Sequence, residues 1–279
     1  MDWETGRRSE NIEDRRGQSF SMSGGRIGGL GAIVVVVIAL ITGIDPSQLL
    51  GTTGSSVPAE TTQPTSAPTD PQADFVSVIL ADTEDTWSRL LSANGMQYQP
   101  PRLVLFSNAT RSACGVGQAA MGPFYCPQDT RVYIDLRFFR ELDTRFGAPG
   151  DFAQAYVVAH EVGHHVQNLL GIAERVREAQ SRANPERANA LQVRMELQAD
   201  CYAGIWAHHA NKHRELLEPG DIEEGLRAAA AIGDDTLQRR AQGHVTPETW
   251  THGSSAQRTQ WFKTGLTTGN LKSCDTFSG

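Results

Sequence analysis

The stretch AYVVAHEVGHHVQNLLG, residues 155–171, restricts most what this chain can fold into. Its apolar positions, Tyr156, Val157, Val158, Val166 and Leu169 among them, recur at helical spacing and ask for burial. Asp151 with Gln154 three residues later is a capping-box pattern and Gly171 a natural stop, so the spacing predicts a helix over about 152–170. A buried helix must find partners for His160, Glu161, His164 and His165, because buried polar groups without partners are costly. Residues four apart share a helix face, so His160 and His164 project together and can hold one ion through ring nitrogens. Glu161 lies one step round, where it can reach a water beside that ion. This is the H-E-x-x-H pattern of zinc hydrolases, in which the glutamate takes the water's proton as it attacks a carbonyl. Gly163 costs about 1 kcal/mol inside a helix, which marks a place where something approaches closely. His165 is off the metal face and is read as a bystander.

Two ligands do not complete a catalytic zinc site, which takes three protein ligands and keeps one position open. A second helix is predicted from Asn184-Pro185, with proline at its first position, to about Ala210. Within it, RMELQADCYAGIWA places Glu196 and Asp200 on one face of a largely apolar segment. Glu196 is expected as the third ligand. Asp200 is expected to accept the other ring N–H of a zinc-bound histidine, His160. The reverse assignment, with Asp200 as ligand and Glu196 as support, is left open by the residues. Cys201 lies well round the helix and is not expected as a ligand.

The remaining elements read as α+β. Helices are expected at about 74–93, 137–145, 222–240 and from about Ser255; strands at 102–106 and 131–136; and a Gly/Pro-rich loop over SACGVGQAAMGPFYCPQD. His208, His209 and His213 sit at a polar helix end and read as solvated, and His244 is unassigned. A net charge of −7 spread thinly along the chain argues against a nucleic-acid partner.

Residues 27–44, IGGLGAIVVVVIALITGI, carry no charge and are about long enough to cross a bilayer as a helix. Arg7, Arg8, Arg15, Arg16 and Arg26 precede the run, and no Lys or Arg follows until Arg89. The positive-inside rule then predicts a cytoplasmic tail at 1–26, an uncleaved single-pass anchor at 27–44 and an extracytoplasmic remainder. A removed signal peptide fits less well, because the head and the apolar run are both long. The Thr/Pro/Ser-rich stretch 45–72 is predicted as an extended, disordered linker, which leaves 73–279 as the working domain.

HExxH followed on a second helix by ExxxD resembles the gluzincins, the thermolysin-like zinc peptidases. More narrowly, NIEDRRG, CGVGQAAMGPFYCPQDTRVYIDL, HEVGHHVQ, ELQADCYAGIWA, THGSSAQR and SCDTF, in that order, resemble the bacterial neutral zinc metallopeptidases. The resemblance implies a zincin-like fold, a small sheet with an edge strand over the active-site helix, with Zn2+ as cofactor and a polypeptide as substrate. It implies that 131–135 is that edge strand, able to pair with an extended peptide. It also implies that His252, in a loop like that of membrane-bound zinc proteases, donates a hydrogen bond to the oxyanion, with Arg258 bracing the loop or assisting. In an oxidising compartment, Cys114 with Cys126 and Cys201 with Cys274 are the preferred pairings, though four cysteines allow three.

The expectation is a membrane-anchored zinc endopeptidase with His160, His164 and Glu196 on the metal, Glu161 as base and His252 as the polarising group. A zinc-stabilised binding protein at the cell surface would need a fourth protein ligand. A zinc amidase or esterase acting on non-peptide amides would show a deep closed pocket.

Overall fold

A computed structural model of the chain describes residues 1–18 and 70–278. The apolar run 27–44 and most of the expected linker lie outside the described residues. No helix among the described residues is long and apolar enough to cross a membrane.

Asp70 accepts a hydrogen bond from the Gln72 N–H and Pro71 takes the first helical position, so helix α1 spans Pro71–Ala93, three residues earlier than its apolar spacing indicates. It buries Phe75, Val76, Ile79, Leu80, Trp87 and Leu91. The sequence predicts two strands, at 102–106 and 131–136, and the described residues hold six. β1 (Ile12–Asp14), β2 (Arg102–Leu105), β5 (Phe124–Cys126) and β6 (Arg131–Ile134) form one sheet in the order β1-β2-β6-β5. β1, β2 and β6 run parallel, and β5 is antiparallel to β6. β3 (Ala109–Ser112) and β4 (Gly115–Gln118) form a separate antiparallel hairpin, and β4 and β5 fall within the Gly-rich segment 112–129 expected as loop. The outer strands of this sheet are therefore β1 and β5, and 131–134 is an interior strand; this corrects the expectation for 131–135. Three residues between two prolines, Pro123 and Pro127, carry too little periodicity to stand out as a strand.

Helices α2 (Arg137–Thr144), α3 (Asp151–Leu169), α4 (Ile172–Ser181), α5 (Pro185–Arg214), α6 (Asp221–Ala231), α7 (Asp234–Gln242) and α8 (Ser255–Thr268) follow. Asn184 caps α5 as its sequence requires, and Ser254 with Gln257 forms a full capping box on α8. α3 is started differently from the expected Asp151 capping box: Gly150 is the cap residue and Glu224 of α6 accepts the Phe152 N–H at 3.2 Å. The single helix expected over 222–240 is two, broken where the backbone at Gly233 lies against Ser255.

Residues 1–18 are not a separate tail. β1 extends the sheet, Met1 is buried, and its α-ammonium lies 3.1 Å from Asp151 at the start of α3 and 2.7 Å from Glu218. The folded unit thus includes these residues as well as 70–278, which corrects the boundary expected at 73.

One core joins the sheet (Leu103, Leu105, Val132, Ile134) to α1, α3, α5 and α8 through Trp87, Phe152, Tyr156, Trp206 and Phe262. Both expected disulfides form: Cys114–Cys126 ties the β3–β4 hairpin to β5, and Cys201–Cys274 ties the C-terminal segment to α5. α5 and α8 meet backbone to backbone. A methyl group on Gly204 would overlap the Phe262 carbonyl, and one on Gly265 would overlap the Cys201 carbonyl. Gly204→Ala should therefore force these helices apart and cost about 2–3 kcal/mol in urea denaturation. A loss under about 0.5 kcal/mol would contradict the close crossing.

Candidate metal centre

α3 and α5 cross at Gly163, where an added methyl carbon would stand 3.0 Å from the Ala199 carbonyl oxygen. That approach, anticipated from a glycine in mid-helix, puts the two polar faces against each other. His160, His164 and Glu196 come together with their ligand atoms within 4.8 Å of one another. Glu196 Oε2 lies 3.2 Å from His160 Nε2 and 3.4 Å from His164 Nε2.

The outer nitrogens of both rings are already engaged. His160 Nδ1 is 2.9 Å from Asp200 Oδ1, and an ionised carboxylate only accepts, so Nδ1 carries the proton. His164 Nδ1 is 2.9 Å from Gln167 Oε1. Gln167 spends its amide N–H groups on the Met195 carbonyl and Gln198 Oε1, so it too accepts from the histidine. Both Nε2 atoms consequently face the Glu196 carboxylate, an arrangement that is satisfied by protons on the rings or by one metal cation held between the three groups. Two ligands about 2.0–2.1 Å from one tetrahedral ion stand about 3.3 Å apart, close to the separations here. The donor set of two imidazoles and one carboxylate fits zinc.

Asp200 is not a ligand in this geometry. It is fully buried and receives Arg258 through two hydrogen bonds, Nε to Oδ2 at 2.8 Å and a terminal nitrogen to Oδ1 at 2.9 Å. Tyr156 donates its hydroxyl to the same Oδ1 and accepts from Arg258 at 3.2 Å. Burial pushes the Asp200 carboxyl up, but Arg258 and His160 outweigh it and hold it below the ordinary range. Burial lowers His160, yet Asp200 and Glu196 raise it further, to about 9 with no metal bound. Gln192, one turn before Glu196, donates to Glu196 Oε1 at 2.9 Å.

Glu161 is buried and makes no hydrogen bond or ion pair among the described residues. Burial raises its carboxyl pKa, and the lowering by His164 and His160 does not cancel that.

His252 stands in the loop before α8, half exposed, with Nδ1 3.3 Å from Asp234 Oδ1. Asp234 Oδ2 also accepts the N–H groups of Thr251, His252 and Gly253, at 2.8, 2.6 and 2.9 Å. One carboxylate thus holds the loop and orients the imidazole. Arg258, expected to brace this loop or assist, acts instead on Asp200 from the buried side.

The remaining histidines depart from their expected roles in part. His165 stitches the edge strand to α3: Nε2 donates to the Gln99 carbonyl at 2.6 Å, and Nδ1 accepts from the Tyr125 hydroxyl at 3.0 Å. Burial drives its pKa down to about 4, so it stays neutral. His208 and His209 donate to the Leu266 and Gly269 carbonyls at the end of α8, and are only partly solvated. His213 and His244 are exposed.

The family model described as "Putative neutral zinc metallopeptidase" matches residues 1–277. The chain belongs to this family. It is 49% identical over 287 residues to "Uncharacterized protein YpfJ" of Escherichia coli K12, an alignment that covers 99% of each chain. It is 47% identical over 202 residues to "Uncharacterized protein Rv2575" of Mycobacterium tuberculosis H37Rv, covering 69% of this chain and 66% of that one. No solved structure matches the chain. Against this family's zinc chemistry, reasoning from sequence missed Tyr156, Gln167, Gln192 and Asp234. Three of them carried a signal: Tyr156, Gln167 and Gln192 are polar groups one turn from a ligand on its own helix face. Asp234 carried none, being 18 residues from His252 in sequence.

The Asp234 carboxyl is pushed up by burial, but His252 and the backbone N–H groups lower it further, to below its ordinary value. Its contribution to stability is therefore present above the unfolded pKa of about 3.9 and lost as pH falls through the depressed folded value. Asp234→Asn should destabilise the metal-free protein by about 1–3 kcal/mol at pH 7 and flatten the acid limb of its stability profile below about pH 4. An unchanged acid limb would contradict the loop-holding role.

Proposed function

We propose that the chain is a zinc-dependent peptidase of gluzincin type that cleaves internal peptide bonds of polypeptide substrates. The observation that carries this reading is the pair of imidazole Nε2 atoms converging on the Glu196 carboxylate while a second, unpartnered carboxylate, Glu161, stands on the same helix as the two histidines. His160, His164 and Glu196 would hold the zinc, and Asp200 and Gln167 would fix the two rings. Zinc bound there supplies Lewis-acid polarisation and a water acidic enough to lose its proton near neutral pH.

Glu161 would take that proton and pass it to the leaving amine. Its raised pKa suits both halves of the task, since a base poised nearer neutrality also returns the proton readily. His252 would donate from its ring to the oxygen that gains charge as the carbonyl is attacked, with Asp234 keeping the ring protonated and aimed. Burial lowers the His252 pKa, but Asp234 and Glu196 raise it more. The antiparallel free edge of β5, tied to α3 through Tyr125 and His165, is where an extended peptide would pair.

A non-catalytic zinc-stabilised binding protein is the less supported reading. A structural zinc has four protein ligands, and only three candidates converge among the described residues. Glu161→Gln should bind zinc as wild type does and cleave a denatured protein substrate about 100-fold or more slowly. His252→Ala should cost about 10²–10³ in kcat. If Glu161→Gln cleaves at the wild-type rate, the hydrolytic mechanism is wrong.

A further inference from the structure

Four arginines before the apolar run look, in the sequence, like charges that hold a tail on the cytoplasmic side. In the structure each has a partner. Arg7 donates to Glu84 at 2.9 Å, to Asp85 at 2.8 Å and to the Ala81 carbonyl at 3.0 Å. Arg8 forks onto Asp74 at 2.9 and 2.6 Å. Arg15 pairs with Glu13 at 2.7 Å and reaches the Arg111 carbonyl, and Arg16 bridges Asp14 and Asp70.

Surface ion pairs alone are weak, about 0–1 kcal/mol each. The stronger tie is Glu84, only 7% exposed, whose Oε1 accepts from Ser9 Oγ at 2.6 Å and Asn11 Nδ2 at 2.9 Å while Oε2 takes Arg7. Withdrawing the N-terminal segment would strand that carboxylate and uncover the hydrogen-bonding edge of β2, which now holds Ile12 opposite Leu103 and Asp14 opposite Leu105. The Arg16–Asp70 pair also brings together the two described segments where they end, at residues 18 and 70.

We infer that α1 and the β2 edge are the docking surface for the chain's own residues 1–16. This docking keeps the N-terminus and the metal centre on the same side of any membrane that the run 27–44 meets. A single crossing would put them on opposite sides. A return crossing would need a second long uncharged apolar stretch, and residues 45–69, rich in Thr, Pro and Ser, contain none. The uncleaved single-pass arrangement, with a cytoplasmic tail and an extracytoplasmic domain, is thus incompatible with the docked fold. The inference concerns placement alone and holds whether or not the metal centre is a peptidase.

Glu10 and Ser181 are both exposed, and every cysteine is in a disulfide, so one added cysteine reports one position. Full-length Glu10→Cys and Ser181→Cys chains, expressed in a bacterial host, can be treated with a membrane-impermeant maleimide in intact spheroplasts and after lysis. The expected result is the same labelled fraction at both positions in each condition. Labelling of Ser181→Cys in intact spheroplasts with Glu10→Cys reacting only after lysis, or the converse, overturns the inference. In the purified chain, Arg8→Glu should lower Tm and adding Asp74→Arg should restore part of the loss. An unchanged Tm for the Arg7→Glu, Arg8→Glu double variant would overturn the docking itself.

Discussion

Asp200 is the constraint on which the rest of the structure depends. A carboxylate removed from water must be matched by charge and hydrogen bonds, or it loses its ionisation. Here it is matched by Arg258 from α8, by Tyr156 and His160 from α3, and by nothing from its own helix. Three helices are therefore bound at one point, and the same contacts set the tautomer of His160. The geometry of the candidate metal centre and the packing of the helices are two consequences of one buried ionic cluster. Breaking one partner of such a cluster is costly, because the charges left behind stay buried.

The backbone approaches make that cluster possible. Arg258 can lie along Asp200 only because α5 and α8 touch at Gly204 and Gly265, and Glu196 can meet His160 only because α3 and α5 touch at Gly163. Each contact replaces a side chain with nothing so that a polar group one turn away can reach its partner. The disulfide Cys201–Cys274 closes the chain next to Asp200, and the N-terminal segment reinforces the opposite side, with Met1 at the start of α3 and β1 on the sheet. Helix α3 is thus held at its first residue as well as its middle.

What the sequence made legible was local. The four-residue spacings of His160 and His164, and of Glu196 and Asp200, specify faces of helices without any knowledge of the fold. The apolar residues around them specify burial, and Gly163 marked the crossing. The order of strands was not legible, because β5 is three residues long and its place outside β6 depends on contacts of its Tyr125 to His165 and Asn168 on α3. The docking of residues 1–18 was not legible either. Arginines beside a long apolar run carry the same pattern whether they face a membrane or the carboxylates of Asp74, Glu84 and Asp85, and those partners lie more than 60 residues away in sequence. The Asp234 clamp on the His252 loop was hidden for the same reason.

X-ray absorption at the zinc edge of the purified full-length protein tests the central claim most directly. The account predicts one zinc per chain, with two imidazole nitrogens at about 2.0–2.1 Å, one carboxylate oxygen from the protein and no sulfur, and with loss of the carboxylate contribution in Glu196→Ala. Zinc that keeps an unchanged shell in Glu196→Ala, or that shows a fourth protein ligand, would contradict it.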